Sequence, residues 1–274
     1  MQATGIKQGV LSGEQLAFFG REGYLIVPAL FGADEVAALG ARFQRLADDL
    51  EPAPEGTWIP DRAATDPLLR YPRVMMPHTW DELSKRWLLD QRLHDILSAL
   101  LGDEPIATQS MFYFKPPGAR GQALHQDNFY LRVEPFSCIA AWTAIDPSLP
   151  ENGGLHVVPQ TQDAALVCPE EADMNESFVK HLVRPPEGLQ PIPAPLQPGD
   201  TLFFNGNVIH GSGPNKSKTH WRRSYICHYM PAAAQKISSG YFPVLNFQGE
   251  PVTREANRGG GPCGVEFDKP NYGA

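Results

Sequence analysis

The stretch "DTLFFNGNVIHGSGPN", residues 200–215, decides how this chain is read. Thr201 to Asn205 is a short run of β-branched, apolar and aromatic residues bounded by Asp and by Asn-Gly, the composition of a strand. The second half carries His210 to the mouth of a turn that holds Gly211 and Gly213. Runs of the same texture lie on both sides: "IATQSMFYFKPPG" (106–118), "FSCIAAWTAIDPS" (136–148), "GGLHVVP" (153–159) and "WRRSYICHYMP" (221–231). Short strands separated by Pro, Gly, Asn and Asp predict an all-β sandwich or barrel over about 105–231.

Upstream the period changes. Ser12 with Gln15 forms a capping-box pattern that opens a helix, Gly23 stops it, and Tyr24 to Pro28 follows as a strand. Val36, Leu39, Phe43, Leu46 and Leu50 fall three and four apart, one face of a second helix that "EPAPEG" ends. A further helical region is expected over Trp80 to Leu101. The expected layout of residues 1–274 is therefore one domain: a helical part over about 12–101, the β core, and an unassigned Gly/Pro-rich tail, 232–274.

Composition narrows the partners. Of 274 residues, 42% are hydrophobic and 20% charged, enough apolar surface for a sizeable core. The net charge of −8 and the lack of a Lys/Arg-rich stripe argue against a nucleic-acid surface. Neither an apolar leader nor an 18-residue apolar window is evident, which argues against export and membrane spanning. Cys138, Cys168, Cys227 and Cys263 are spread without a CxxC pair and read as inert, reduced thiols of a cytoplasmic protein.

"LHQDNFY", residues 124–130, holds the pair that could work with His210. If the segment is extended, His125 and Asp127 leave one face with backbones ~7 Å apart, close enough to converge on one ion. With His210 they would make two imidazoles and one carboxylate, the facial set of non-haem Fe(II) oxygenases, whose remaining positions take co-substrate and O2. The alternative is a surface turn in which Asp127 caps a backbone N–H and His125 is an ordinary polar residue.

Four longer pieces carry a resemblance: "FGREGYLIVPALFGADEVAAL", "FYFKPPGARGQALHQDNFYL", "AAWTAIDPSLPENGGLHVVPQT" and "LQPGDTLFFNGNVIHGSGPNKSKTHWRRSYICHYMP". Together, over roughly residues 15 to 231 and in order, they resemble the phytanoyl-CoA dioxygenase family of Fe(II)/2-oxoglutarate-dependent oxygenases, which includes ectoine hydroxylase. The resemblance implies a mainly β fold with N-terminal helices around a double-stranded β-helix (jelly-roll, cupin-like) core. It implies His125, Asp127 and His210 as iron ligands, with Fe(II), 2-oxoglutarate and O2 as cofactor and co-substrates. An Arg shortly after the distal His would hold the far carboxylate of 2-oxoglutarate, because its planar fork pairs bidentately with carboxylate. "WRRSY" offers Arg222 and Arg223, which face opposite ways on a strand. Alignment of "ICHY" selects Arg222, with a one-residue insertion taken up before it.

Further positions follow from the same resemblance. Ser212 would assist the anchored carboxylate or simply tighten the turn. Trp142 would line the co-substrate pocket or belong to the core, and Thr143 would replace it if the register slipped. Tyr113 and Gln109 alternate on one strand and could line the same cavity. Arg120, Asn128, Tyr130 and Arg132 flank the HxD pair and are either substrate contacts or exposed loop residues. His78, His94, His156, His181, His220 and His228 have no spacing partner and are expected to be surface or satisfied core residues. The family's Gly-Ser-His run after the Pro of "VVP" is replaced by Gln160-Thr161-Gln162.

The expected activity is hydroxylation or another oxidation of an unactivated C–H of a small metabolite, with succinate and CO2 released. A carboxylate at Asp127 argues against the halogenases of this class, which need a small residue there. Two rivals remain: a Zn-dependent hydrolase or lyase on the same ligands, and a non-catalytic jelly-roll module. The oligomeric state is left open. The Pro-rich segment from Gln160 to Pro198 is expected to cover the site, either as a mobile lid or as an ordered excursion.

Overall fold

A computed structural model describes residues 10–258 and Cys263. The N-terminal helices form as the pattern predicts. Helix α1 (Gly13–Glu22) is capped by the Ser12/Gln15 box and ends at Gly23 in the left-handed conformation, and strand β1 (Tyr24–Val27) follows. Helix α2 (Ala33–Ala47) buries Val36, Leu39, Phe43 and Leu46. It stops short of Leu50, which is 70% exposed, because the chain turns at Asp48.

After the short helix α3 (Pro67–Arg70) and strand β2 (Val74–Met75) comes the region expected as one helix. It is two, α4 (Glu82–Leu88) and α5 (Gln91–Leu101). Asp90 breaks the run because its carboxylate accepts from the Arg92 N–H at 2.9 Å, capping the second helix instead of continuing the first.

The core strands are β3 (Pro105–Tyr113), β4 (Gln122–His125), β5 (Ile139–Ala144) and β6 (Leu155–Val157), with the short helix α6 (Asn128–Leu131) after β4. Three two-residue strands, β7 (Glu170–Glu171), β8 (His181–Leu182) and β9 (Ile192–Pro193), lead to β10 (Thr201–Asn205), β11 (His210–Ser212) and β12 (Ser224–Pro231). The larger sheet runs β1-β10-β5-β12-β3 and then through Val244–Leu245 and Pro251–Val252, with β2 also paired to β3. The smaller sheet is β4-β11-β6-β9. All these pairings are antiparallel.

Alternation on β12 shows how the layers divide. Tyr225, Cys227 and Tyr229 join the apolar cluster under the helices, where the Tyr225 and Tyr229 hydroxyls donate to the Ser84 and Leu88 carbonyls. Ile226 faces the other way and packs with Trp142, Leu155, Val157 and Phe204, which draws the two sheets together. Each large apolar side chain fully buried in these layers contributes roughly 1.5–3 kcal/mol, so the helices act as the cover that frees the opposite face of the sheet to line a site. The protein is thus mainly β, two antiparallel sheets with an N-terminal helical cover.

The Gln160–Pro198 segment is sewn to the edge of β4. Gly121 N donates to the Glu176 carbonyl at 2.7 Å, Phe178 N to the Gly121 carbonyl at 2.9 Å, and Val183 N to the Leu124 carbonyl at 2.7 Å. Val179 and Val183 are buried beneath it. It forms a wall beside the site. The reading of four separate thiols needs correction, since Cys168 of this wall is disulfide-bonded to Cys263; Cys138 and Cys227 are buried free thiols as expected. Residues 264–274, part of the unassigned tail, lie outside the described residues. Among the described residues, no helix is long and apolar enough to cross a membrane.

Candidate metal centre and co-substrate pocket

The β4–β11 pairing places His125 directly opposite His210, with ring centroids 4.2 Å apart. Asp127 joins them by a route the sequence does not suggest. The chain is not extended through it: at φ −62° and ψ −37° the backbone has already turned into α6, which swings the carboxylate back between the two imidazoles. Its Oδ1 lies 3.4 Å from His125 Nε2 and 3.6 Å from His210 Nε2. One ligand atom from each of the three residues lies within 4.8 Å of the others, and all three residues are buried.

Both imidazoles are set to ligate through Nε2. His125 Nδ1 lies 2.9 Å from the Ala123 carbonyl, and His210 Nδ1 lies 3.0 Å from the Val208 carbonyl. A carbonyl only accepts, so each Nδ1 carries the proton and each Nε2 presents a lone pair, which in His125 lies 2.9 Å from the Gln122 side-chain nitrogen. Burial pulls the His210 pKa down to about 4, so its ring is neutral at pH 7. Burial alone would raise the Asp127 pKa, but the imidazoles around it, His210 and His228 foremost, hold it well below the usual carboxylate range. A carboxylate between two imidazoles that present Nε2 is a donor set that suits a divalent transition ion.

A cationic pocket opens beside this face. Arg222 is 2% exposed, and its guanidinium lies over the Trp142 ring at 5.3 Å. Its Nε donates to the Gly153 carbonyl at 3.3 Å and its Nη1 to Ser224 Oγ at 3.1 Å. Burial lowers its pKa to about 10, leaving it a cation at neutral pH. Arg223 points to the opposite side of the sheet and forms a two-point pair with Asp146, at 2.7 and 2.8 Å. Alternation along the strand thus places Arg222, and not Arg223, at the cavity.

Lys115 is the residue that sequence reasoning missed. It is 2% exposed, and its Nζ donates to Ser212 Oγ at 2.8 Å and to the Gly213 and Gly153 carbonyls at 2.7 and 3.2 Å. Burial and neighbouring Arg222 push its pKa well down, and the three acceptors hold its nitrogen in place. Because Lys115 donates to Ser212 Oγ, the hydroxyl proton of Ser212 is free to point into the pocket as a donor to an anion. Gly153 makes this cradle possible: its φ is +76°, and a Cβ there would stand 2.6 Å from the Gly213 carbonyl and 2.8 Å from Lys115 Cδ. Asn152 fixes the same turn, accepting from the Leu149 N–H at 2.8 Å. The only signal was the "FKPPG" motif, whose Lys looks like an exposed charge until the two sheets close over it.

The shared cavity is lined by the three candidate ligands together with Gln109, Tyr113, Tyr130, Trp142, Ser212 and Arg222. It is also lined by Arg73, Gln122 and His228, none of which the sequence singled out. Arg73 donates to Tyr113 Oη at 2.9 Å and stacks on Phe178 of the wall, while Tyr130 Oη lies 3.2 Å from His181 Nδ1. Four expected contacts are corrected. Thr143 turns away from the cavity and meets Thr201 Oγ1 at 2.9 Å. Arg120 braces the wall through Asp66 and the Met174 and Ser177 carbonyls. Asn128 accepts from the Val133 N–H at 2.9 Å, and Arg132 ends α6 in the left-handed conformation; neither lines the cavity. The Asn128 side chain satisfies a backbone group where the chain reverses after β4, a demand local to the turn.

Two imidazoles and one carboxylate with open positions, flanked by a buried cation pocket between two antiparallel sheets, form the site of a mononuclear non-haem iron oxygenase class. The phytanoyl-CoA dioxygenase (PhyH) family profile matches residues 19–224, and the chain belongs to that family. Enzymes of this family use Fe(II), 2-oxoglutarate and O2. The chain is 28% identical over 282 residues to the peroxisomal phytanoyl-CoA dioxygenase of Mus musculus, covering 98% of this chain and 79% of the relative. The fold matches the crystal structure of EctD from S. alaskensis with bound Fe at a TM-score of 0.68 and 21% identity, covering 92% of this chain and 89% of that one. It also matches the epimerase SnoN from nogalamycin biosynthesis, solved with Fe3+, alpha ketoglutarate and nogalamycin RO, at a TM-score of 0.65 and 24% identity, covering 89% and 93%.

Proposed function

We propose that this protein is an Fe(II)- and 2-oxoglutarate-dependent oxygenase that hydroxylates, or otherwise oxidises, an unactivated C–H bond of a small metabolite. In this reading the two-sheet core is a double-stranded β-helix. His125, Asp127 and His210 hold the iron, and Arg222 with Ser212 holds the distal carboxylate of 2-oxoglutarate. The single observation that carries it is the juxtaposition, in one cavity, of the three-residue donor set and a buried guanidinium without a carboxylate partner in that cavity. A structural arginine would be paired as Arg223 is; one kept as an unpaired buried cation awaits an anion.

The chain's own residues divide the work. Lys115 orients Ser212, Trp142 forms the floor beneath Arg222, and Gly153 brings the backbone close enough for Lys115 and Arg222 to share its carbonyl. Bound iron supplies the coupling of O2 reduction to oxidative decarboxylation of 2-oxoglutarate, so that substrate, O2 and 2-oxoglutarate become oxidised product, succinate and CO2. Gln109, Tyr113, Tyr130 and Arg73 form the remaining polar wall, where the substrate is oriented and water excluded.

The hydrolytic alternative lacks a carboxylate base: among the described residues, Asp127 is the one carboxylate that lines the cavity, and it is committed to the ligand set. Succinate release that needs both 2-oxoglutarate and an added candidate substrate tests the proposal. Release that ignores 2-oxoglutarate, or Zn2+-supported hydrolysis in its place, would overturn it.

A further inference from the structure

His228 lies on β12 at a break in register. It pairs with Gln109, while the next residue, Tyr229, pairs with Ala107, so Thr108 is an extra residue on β3. The hydroxyl of Thr108 donates to the His228 carbonyl at 2.9 Å. Bulges of this kind occur beside functional sites, where they re-aim side chains. Here the His228 ring, 1% exposed, lines the metal cavity and places Nε2 2.8 Å from Asp127 Oδ2.

The carboxylate is thereby divided. Oδ1 faces the two ligating imidazoles, at 3.4 and 3.6 Å, while Oδ2 is turned to His228. Asp127 precedes α6 yet spends neither oxygen on capping that helix, so its orientation must come from elsewhere. His228 Nδ1 is buried and, among the described residues, has no hydrogen-bond partner. An unpaired buried ring nitrogen is costly, and a Phe of similar shape would avoid that cost. A histidine there makes sense for what its other nitrogen does.

We propose that His228 is a positioning residue that fixes Asp127 as a one-oxygen metal ligand. The proposal rests on the iron-site reading above. With Oδ2 held back, Asp127 would offer a metal one oxygen rather than two, which would leave room at the ion for 2-oxoglutarate and O2. Without the N–H of His228, the carboxylate is free to rotate, to chelate through both oxygens or to loosen from the metal.

The test is anaerobic titration of the full chain with Co(II) as the probe metal, read by its visible absorption, before and after addition of 2-oxoglutarate. The parent protein is compared with His228→Phe, His228→Gln and Asp127→Ala, with folding checked by circular dichroism. Loss of a hydrogen bond to a metal ligand typically costs ~10–100-fold in metal affinity, so His228→Phe should weaken Co(II) by that factor and alter its band shape. His228→Gln, which keeps an N–H donor, should recover most of the affinity and the parent spectrum. Parent-like binding and spectrum in His228→Phe would overturn the proposal, and so would equal weakening by Phe and Gln. Should the Phe variant not fold, His228→Asn, whose shorter amide falls short of Asp127, takes its place under the same criteria. Parent-like affinity in Asp127→Ala would instead mean that the metal-site reading itself had failed.

Discussion

Replacing Arg222 with Met should move binding and stability in opposite directions. The guanidinium is the candidate anchor for the distal carboxylate, and truncating one partner of a buried charge pair costs ~2–5 kcal/mol, or roughly a thirtyfold to several-thousandfold loss in 2-oxoglutarate affinity. Stability follows a different sum. Burial lowers the Arg222 pKa from 12.5 to about 10. That difference corresponds to ~3 kcal/mol spent on keeping the cation buried before any co-substrate binds. Met fills similar space without that cost but forfeits the bonds to Gly153 and Ser224, each ~1 kcal/mol. The unfolding midpoint of co-substrate-free Arg222→Met should therefore equal or exceed the parent's. Arg223→Met is the mirror case: it breaks the Asp146 pair and the Gln44 contact, lowering stability by roughly 1–2 kcal/mol while leaving 2-oxoglutarate affinity unchanged. Anaerobic 2-oxoglutarate titration and urea unfolding of both variants measure the two axes. A larger affinity loss in Arg223→Met, or parent-like affinity in Arg222→Met, would refute the assignment.

Three further outcomes follow from the same geometry. Asp127→Ala removes one of three candidate protein ligands and should abolish substrate-dependent succinate release; full turnover without added carboxylate would contradict the ligand set. His78, buried against Ser110 Oγ at 2.6 Å, has its pKa lowered by burial and by Lys85 to about 4. Since the folded value lies below the unfolded 6.5, the unfolded chain binds the extra proton between them. The contribution is fully present above about pH 6.5 and is lost as pH falls through 4, up to ~3 kcal/mol. The stability gap between parent and His78→Gln should therefore change between pH 7.5 and 4.5, and a constant gap would speak against it. Arg120→Ala should destabilise by roughly 1–2 kcal/mol through the freed Met174 and Ser177 carbonyls, with the Michaelis constant for 2-oxoglutarate unaltered in steady-state assays.

What the sequence determined by itself was local in origin. The Ser12/Gln15 box and Gly23 set the limits of α1 because capping involves residues three or four apart. Strand alternation separates Arg222 from Arg223, and the motif order around "LHQD" and "IHGSG" carries the family and its ligand types. Tertiary structure decided the rest. It turned Asp127 out of an extended segment, closed Lys115 under Ser212, drew Arg120 to the wall, joined Cys168 to Cys263, and brought His228 to a carboxylate 101 residues away. Periodicity shows which face a side chain takes; what stands opposite depends on which strands become neighbours. That follows from burying the apolar faces of both sheets and the helices together, a sum over the whole chain in which no short segment contains its own partner.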